Sequence, residues 1–115
     1  MKKTFRLYKE DNTLLISQIE KADSFLERLK GLMFRSNIDD DYGLWIEPCN
    51  SIHMLGMRFS IDVIYIDSEL RILKLVKNLK PYRFSFCFNA HSALETRSGF
   101  VAKTGLCLGE KLKII

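Results

Sequence analysis

Cysteine, proline and histidine are all scarce in this 115-residue chain, which contains three, two and two of them. The three cysteines, Cys49, Cys87 and Cys107, are odd in number and widely spaced, so a disulfide framework is not expected. The sequence has no CxxC pair and no Cys/His cluster, which argues against a structural zinc site. We therefore predict free cysteines that pack as small hydrophobic residues, with no metal and no cofactor.

Long apolar runs are also missing. Every hydrophobic stretch is far shorter than the roughly 18 residues that a membrane-spanning helix needs, so no span is predicted. Near the N-terminus, charges at Arg6, Lys9, Glu10 and Asp11 interrupt any apolar segment that could serve as a secretory signal. We therefore expect a cytoplasmic protein.

Acidic residues are fewer than basic ones, 14 against 18, which gives a net charge of +4 and a pI of about 9.0. This balance permits contact with nucleic acid, but the basic residues are scattered among acids. Phe84, Phe86 and Phe88 do follow Arg83, although no Gly-rich nucleic-acid signature accompanies them. Nucleic-acid binding is therefore disfavoured.

The residues that are present suit one globular domain spanning residues 1–115, since 47% are hydrophobic and 28% are charged. Short runs of β-forming residues are separated by turn residues over most of the length. The predicted strands are 4–9, 13–19, 43–47, 61–66, 71–76, 81–88, 92–98, 105–109 and 111–115. Many short strands with a single helix predict a mainly β sandwich or barrel.

The predicted helix is short and lies near residues 24–30. Ser24 and Glu27 have the spacing of a capping box, in which a hydroxyl and a carboxylate bind free backbone N–H groups. Phe25 and Leu29 share one helix face, and Gly31 suits a left-handed C-terminal position. These features predict a helix of about two to three turns.

Several motifs occur in an order that carries a resemblance to a known family. They are RLKGLMFR (28–35), GLWIEPCNSIHMLGMRFSIDVIYID (43–67), PYR (81–83), ALETRSG (93–99) and GLCLGEKL (105–112). The chain resembles the small bacterial and archaeal proteins grouped as domain of unknown function 192. The resemblance implies a compact, mainly β, jelly-roll-like sandwich with a short helix. It implies no reaction, because the family has no established function.

His53 is the first candidate for a functional site. It lies four residues after Cys49, and an imidazole can deprotonate a thiol. If this segment is extended, however, the two Cα atoms lie about 13 Å apart, and only a tight bend would bring them together. A structural cysteine is therefore favoured over a nucleophile, and Met57 joins His53 as a candidate ligand contact.

Asp62 interrupts an otherwise apolar strand, and a buried carboxylate has to be paired or hydrogen-bonded. In a regular strand Asp62 shares one face with Ile64 and Ile66. It can accept backbone N–H groups or pair with an arginine. Arg28 and Arg83 are the preferred partners for a structural salt bridge.

Glu95 completes the set of candidates, because it lies within a short predicted strand. If it converges with His53, Asp62 and Arg83 in a cleft, these groups could bind a small polar ligand. The sequence thus favours a non-catalytic binding module for a small polar ligand or a protein partner. The alternative is a small acid–base hydrolase using His53, Asp62 and Glu95. A third hypothesis is a protein that offers a sheet edge, 4–9 or 111–115, to a partner.

Overall fold

The computed structural model describes residues 3–115, and Met1 and Lys2 lie outside the described residues. Within this range the chain forms nine strands and two short helices. In chain order they are β1 (Thr4–Lys9), β2 (Leu14–Ala22), α1 (Phe25–Lys30), β3 (Tyr42–Ile46), β4 (Ser51–His53), β5 (Ile61–Ile66), β6 (Ile72–Leu79), β7 (Phe84–Phe86), β8 (Ser92–Arg97), α2 (Phe100–Thr104) and β9 (Leu112–Ile114). The predicted mainly β fold is confirmed.

Seven of the strands form one mixed sheet in the order β6-β5-β8-β3-β2-β1-β9, which curls into a half-barrel. Strands β2 and β3 pair in parallel, and α1 lies in the connection between them. The other two strands, β4 and β7, form a separate antiparallel pair. The finer jelly-roll description stays a prediction.

Both faces of the large sheet are covered by apolar side chains, because successive residues of a strand point to opposite faces. Along β5, Val63 and Tyr65 belong to one buried cluster, whereas Ile64 and Ile66 belong to another. The first cluster continues into the loop before β5 through Met54 and Met57, and the second includes the buried side of α2. Two polar side chains on neighbouring strands can therefore lie on opposite sides of the sheet.

The first helix agrees with the sequence in its position and its cap. Ser24 and Glu27 form both hydrogen bonds of the predicted capping box, and the N–H of Gly31 bonds to the carbonyl of Glu27. However, α1 contains six residues, fewer than the two to three turns predicted, and none of them is buried. Tertiary packing therefore contributes little to the stability of α1, and the capping hydrogen bonds contribute much of it.

The second helix, α2, was not predicted. It has five residues between Gly99 and Gly105, which both have positive φ, and Gly99 at the N-cap has no side chain that could bond to the first N–H groups. The predicted strand 105–109 was wrong, because these residues form turns after α2. A five-residue helix without a side-chain cap carries almost no sequence signal.

The predicted sheet edges were only partly right. Residues 4–9 form β1, which lies inside the sheet between β2 and β9. The terminal strands of the sheet are β9, within the predicted 111–115 segment, and β6. Neither helix within residues 3–115 is long and apolar enough to cross a membrane.

Candidate functional site

The short strand β4 positions His53 beside the end of α1. Ile52 points into the core, so that His53, next in the strand, faces the other way and remains partly buried. The His53 Nε2 atom lies 3.1 Å from the carbonyl oxygen of Leu29. Because a carbonyl can only accept, we assign the hydrogen to Nε2, and in the neutral imidazole Nδ1 is then an acceptor. This Nδ1 atom is buried and has no hydrogen-bond partner.

Strand β8 positions Glu95 on the same face of the sheet as Val63, its neighbour on β5. The Glu95 side chain is buried, with 4% of its surface exposed, and its Oε1 atom has no hydrogen-bond partner. Burial without a compensating charge raises the pKa of Glu95 to about 8. At neutral pH the carboxyl group is therefore mostly protonated and can both donate and accept a hydrogen bond.

A small cavity of about 20 Å³ joins these two groups. Its walls are formed by α1 and the residues at its C-terminal end, by β4 and by side chains of the adjoining strands. The lining residues that bear on function are Arg28, Gly31, Ser51, His53, Met57 and Glu95. A cavity of this size has room for about one water molecule. His53 and Glu95 thus face a common space that is too small for a larger ligand by itself.

A larger hollow adjoins the cavity and opens at the surface. It has a volume of about 250 Å³ and shares Arg28, Ser51 and His53 with the cavity. Its outer wall includes Phe25 and Cys49. The Phe25 ring is 70% exposed, so that the entrance of the hollow has an apolar rim. The two spaces together form one site, in which the small cavity with its polar groups lies beneath the wider hollow that opens to solvent.

Asp62 does not belong to this site. In the pairing of β5 with β8, Asp62 lies opposite Thr96, and Glu95 lies opposite Val63. Asp62 and Glu95 therefore point to opposite faces of the sheet. The Asp62 carboxylate is buried and accepts the N–H groups of Asn78 and Val101, both at 2.9 Å. Because Val101 is in the first turn of α2, this carboxylate anchors the start of that helix.

The predicted salt bridge of Asp62 with Arg28 or Arg83 is not formed within residues 3–115. Both carboxylate oxygens of Asp62 instead accept hydrogen bonds from backbone N–H groups. Backbone N–H groups were the alternative partners that the sequence predicted. Arg28 instead donates from Nη1 to the carbonyl oxygen of Asp23 at 2.6 Å, at the edge of the hollow. Arg83 is exposed and lies outside both the cavity and the hollow.

Cys49 lies in the wall of the hollow but is poorly suited to act as a nucleophile. Its Sγ atom donates to the carbonyl oxygen of Ser51 at 3.1 Å. Burial raises the pKa of the Cys49 thiol, and the nearby Glu95 acts in the same direction. A raised pKa keeps the thiol protonated, whereas a reactive cysteine needs its thiolate.

The structure therefore brings together His53, Met57 and Glu95 of the predicted site, and it separates Asp62 and Arg83 from them. Ser51 and Gly31 were not among the residues predicted for the site. Ser51 had a signal, because it is two residues before His53 and shares its face if the segment is a strand. Gly31 had only the signal of a helix end. Within residues 3–115, no group of three or more His, Cys, Asp or Glu side chains is arranged to hold a metal ion.

Comparison with known proteins agrees with this architecture. The family model DUF192, whose description reads "Uncharacterized ACR", matches residues 7–114. The chain belongs to the DUF192 family. Among curated relatives of this DUF192 protein, the UPF0127 protein of Thermococcus sibiricus is 40% identical over 58% of this chain and 46% of its own length. The UPF0127 protein of Pyrococcus horikoshii is 42% identical over 57% of this chain and 59% of its own length. The chain spans about half the length of the curated relatives it matches.

Solved structures with the same fold are also known. A protein of Sinorhizobium meliloti 1021, named as a candidate transcription regulator, superposes with a TM-score of 0.85 at 21% identity, covering 99% of this chain and 94% of its own. A protein of unknown function from Novosphingobium aromaticivorans gives a TM-score of 0.81 at 22% identity, covering 96% and 83% of the two chains. At these identities the likeness shows the fold of this DUF192 protein alone.

Gly31 gives the first testable prediction for this DUF192 protein. Its φ of +50° is unfavourable for other residues, and a Cβ at this position would lie 3.3 Å from Glu95 Oε1. We expect Gly31→Ala to lower the free energy of unfolding by about 1–3 kcal/mol through backbone strain, with a further loss from this contact. Urea denaturation measures the change.

Gly109→Ala is the matched control, because Gly109 has a φ of +86° and a Cβ there would meet no atom within 4 Å. The control isolates the backbone strain. If Gly31→Ala destabilises the protein no more than Gly109→Ala does, then Gly31 is not required for the approach of the helix end to Glu95.

Proposed function

We propose that residues 1–115 form a single-domain, non-catalytic binding module in the cytoplasm, and that it binds a small polar ligand. The ligand would enter the hollow beside α1 and contact Glu95 and His53 at its floor. One observation carries the proposal: two buried polar atoms, Glu95 Oε1 and His53 Nδ1, have no hydrogen-bond partner and line the same cavity.

Unpartnered buried polar atoms are costly, which is why this pair suggests a binding function. A buried donor or acceptor without a partner costs about 1–3 kcal/mol, so most such groups in proteins are satisfied. Gly31 and Met57 pack beside the two side chains but supply no polar partner for them, so that both polar atoms remain next to the small cavity. A ligand hydroxyl group, which is about the size of the one water molecule that the cavity can hold, would satisfy both atoms at once.

The hydrogen-bonding groups of the two side chains favour a ligand that both donates and accepts. Glu95, with its pKa raised to about 8, offers an O–H donor and a carbonyl acceptor at neutral pH. In its neutral form His53 offers an acceptor at Nδ1, because the hydrogen on Nε2 bonds to the Leu29 carbonyl. A group that both donates and accepts, such as an alcohol or an amide, matches this pair. The neutral carboxyl group of Glu95 supplies no charge to balance that of an ionised ligand.

The size of the hollow limits the size of the ligand. Pockets for drug-sized ligands usually have volumes of about 300–1,000 Å³, whereas this hollow measures about 250 Å³. A compound of the size of a monosaccharide or an amino-acid amide would fit. Phe25 and Leu29 provide an apolar wall on the α1 side of the hollow, against which the carbon skeleton of such a compound could pack.

The alternative function, an acid–base hydrolase using His53, Asp62 and Glu95, has weaker support. It needs the three side chains in one open cleft. Asp62 is on the opposite face of the sheet, where its oxygens bind the N–H groups of Asn78 and Val101. His53 and Glu95 are left as a single pair without a second carboxylate.

A thermal-shift screen tests the proposed function directly. We expect at least one neutral monosaccharide, polyol or small amide at millimolar concentration to raise the melting temperature of the wild type. The same compound should have little effect on Ser51→Phe, in which a ring occupies the hollow without altering Glu95. It should also lose most of its effect on Glu95→Gln, because the amide changes the donor and acceptor pattern at the floor.

The control is Tyr82→Ser, which changes an exposed side chain outside the hollow. It should respond to the compound as the wild type does. The proposal fails if no neutral compound stabilises the wild type, or if a stabilising compound acts equally on Ser51→Phe and Glu95→Gln. Circular dichroism first confirms that each variant is folded.

A further inference from the structure

A row of exposed aromatic side chains runs along β7 and the two residues after it. Phe84, Phe86 and Phe88 are 71%, 45% and 78% exposed, and we call these three residues the aromatic ridge. Ser85, between the first two, points inward and its hydroxyl bonds to Tyr65 at 2.6 Å. This bond fixes the side of β7 that faces inward, so that the phenylalanines face solvent. Three adjacent exposed phenylalanines form the kind of apolar surface that marks an interaction site.

The segment that precedes and contains the aromatic ridge carries charge of one sign. From residue 70 to residue 94 the sequence contains no Asp or Glu, and it contains five basic residues spaced three apart. They are Arg71, Lys74, Lys77, Lys80 and Arg83, and all five are exposed. We call these five residues the basic flank. Their positive charge is not neutralised by acids within the segment.

Direct contacts join the basic flank to the aromatic ridge. The ammonium group of Lys74 donates to the carbonyl oxygen of Phe86 at 2.8 Å and lies 5.6 Å from the centre of its ring. At the other end, Arg83 directly precedes Phe84, and its N–H bonds to the carbonyl of Lys80 in the turn before β7. Lys74 and Arg83 of the basic flank therefore lie directly beside the rings.

The arrangement of the rings indicates which partner this surface fits. Single-stranded nucleic acids bind aromatic side chains whose faces are open for stacking by bases. Here the rings of Phe86 and Phe88 pack on each other, with centroids 4.8 Å apart, and Lys74 lies over the Phe86 ring. These contacts cover the Phe86 ring and part of the Phe88 ring, and the ridge as a whole presents an apolar wedge. A wedge with cations beside it matches a bilayer surface, where rings enter the acyl boundary and cations meet anionic headgroups.

We propose that the aromatic ridge, together with Lys74, Lys80 and Arg83 of the basic flank, forms a docking surface for an anionic lipid membrane. The rings of Phe84 and Phe88 insert at the headgroup boundary, and Lys80 and Arg83 contact the anionic headgroups. The three rings line neither the cavity nor the hollow, although Phe84 and Phe86 are the strand partners of His53 and Ser51. The proposal does not depend on the ligand or on Glu95.

Vesicle co-sedimentation tests the docking surface on the full chain. We expect the wild type to sediment with vesicles of phosphatidylcholine and phosphatidylglycerol, much less with phosphatidylcholine alone, and less again as salt is raised. Phe84→Ser/Phe88→Ser should weaken binding at least about tenfold, because it removes the inserting rings. Lys80→Gln/Arg83→Gln should weaken binding about tenfold and reduce its dependence on salt.

Matched controls carry the same kinds of change elsewhere on the surface. Leu14→Ser/Leu108→Ser removes two side chains that are 51% and 65% exposed, and Lys9→Gln/Lys103→Gln removes two charges outside the basic flank. Both controls should bind as the wild type does. The proposal is overturned if the wild type does not bind anionic vesicles, if it binds neutral vesicles equally, or if the controls lose as much binding as the ridge variants. Binding of a thymidine oligonucleotide without binding of vesicles would overturn it in favour of a nucleic-acid surface.

Discussion

Between about pH 5 and pH 8, we expect the free energy of unfolding to fall by several kcal/mol as the pH rises. The cause is Glu95, which is buried without a charged partner and has its pKa raised from 4.5 to about 8 in the folded protein. In this range the unfolded chain loses the proton of Glu95 while the folded protein keeps it. Stability then falls with a slope of up to about 1.4 kcal/mol per pH unit.

The direction of this effect follows from proton linkage. A pKa that is raised in the folded state stabilises the protein fully below the pKa of the unfolded chain. That stabilisation is lost as the pH rises towards the folded pKa. Acids with lowered pKa values have the opposite effect, but in a more acidic range. Asp41 is one of them, since the hydroxyl and N–H of Ser17 hold the pKa of its carboxyl group below the ordinary value.

Urea denaturation at several pH values measures the effect, with the fluorescence of Trp45, the single tryptophan, as the probe. Glu95→Gln keeps the shape of the side chain but cannot ionise, so its stability should change little between pH 5 and pH 8. Glu10→Gln, at an exposed position, is the control and should retain the slope of the wild type. Parallel profiles for wild type and Glu95→Gln would show that Glu95 does not titrate in this range.

The second large effect is expected for Asp62→Ala, which we predict lowers the free energy of unfolding by about 3–5 kcal/mol. The substitution removes the acceptor of the buried N–H of Val101 and of the partly buried N–H of Asn78, and a buried group left without a partner costs about 1–3 kcal/mol. A domain of this size has a total stability of roughly 5–15 kcal/mol. The variant should therefore lose a large fraction of its stability, beginning with the attachment of α2.

Urea denaturation gives the size of this loss, and amide hydrogen exchange at Val101 shows where it arises. Asp62→Asn keeps the shape but offers only one acceptor oxygen, so it should lie between wild type and Asp62→Ala. Asp40→Ala is the control, because Asp40 is exposed and its pair with Arg97 at 3.4 Å lies at the surface. Its effect should stay within about 0.5 kcal/mol. A loss below about 1 kcal/mol for Asp62→Ala would contradict the anchoring role of Asp62.

The exposed location of the aromatic ridge shows how far a sequence pattern reaches. The alternation of large and small residues in 81–88 predicted an extended segment, and β7 confirms it over Phe84–Phe86. A period of two places Phe84 and Phe86 on one side of a strand, but it does not say whether that side is buried. The core faces of β5 are filled by Ile, Val and Tyr65, and the phenylalanines of β7 remain at the surface. Only packing distinguishes these outcomes.

The candidate site shows the same division more sharply. The sequence predicted that His53, Asp62, Arg83 and Glu95 carry the polar chemistry, and it placed Asp62 correctly on the face of Ile64 and Ile66. It could not predict the register between β5 and β8. A shift of that register by one residue would exchange the faces of their side chains. The observed register places Asp62 and Glu95 on opposite faces of the sheet. Asp62 therefore binds backbone N–H groups on one face, whereas Glu95 lines the cavity on the other.

By itself, the sequence determined the mainly β class, the capping box of α1, the positions of most strands and the residues from which a site could be built. These features depend on local periodicity and on hydrogen bonds between residues a few positions apart. Tertiary structure alone decided that Glu95 and His53 share a cavity, that Asp62 anchors α2, and that the phenylalanines of β7 face solvent. These depend on pairing between strands that are far apart in the chain, and local sequence does not encode the register of such pairs.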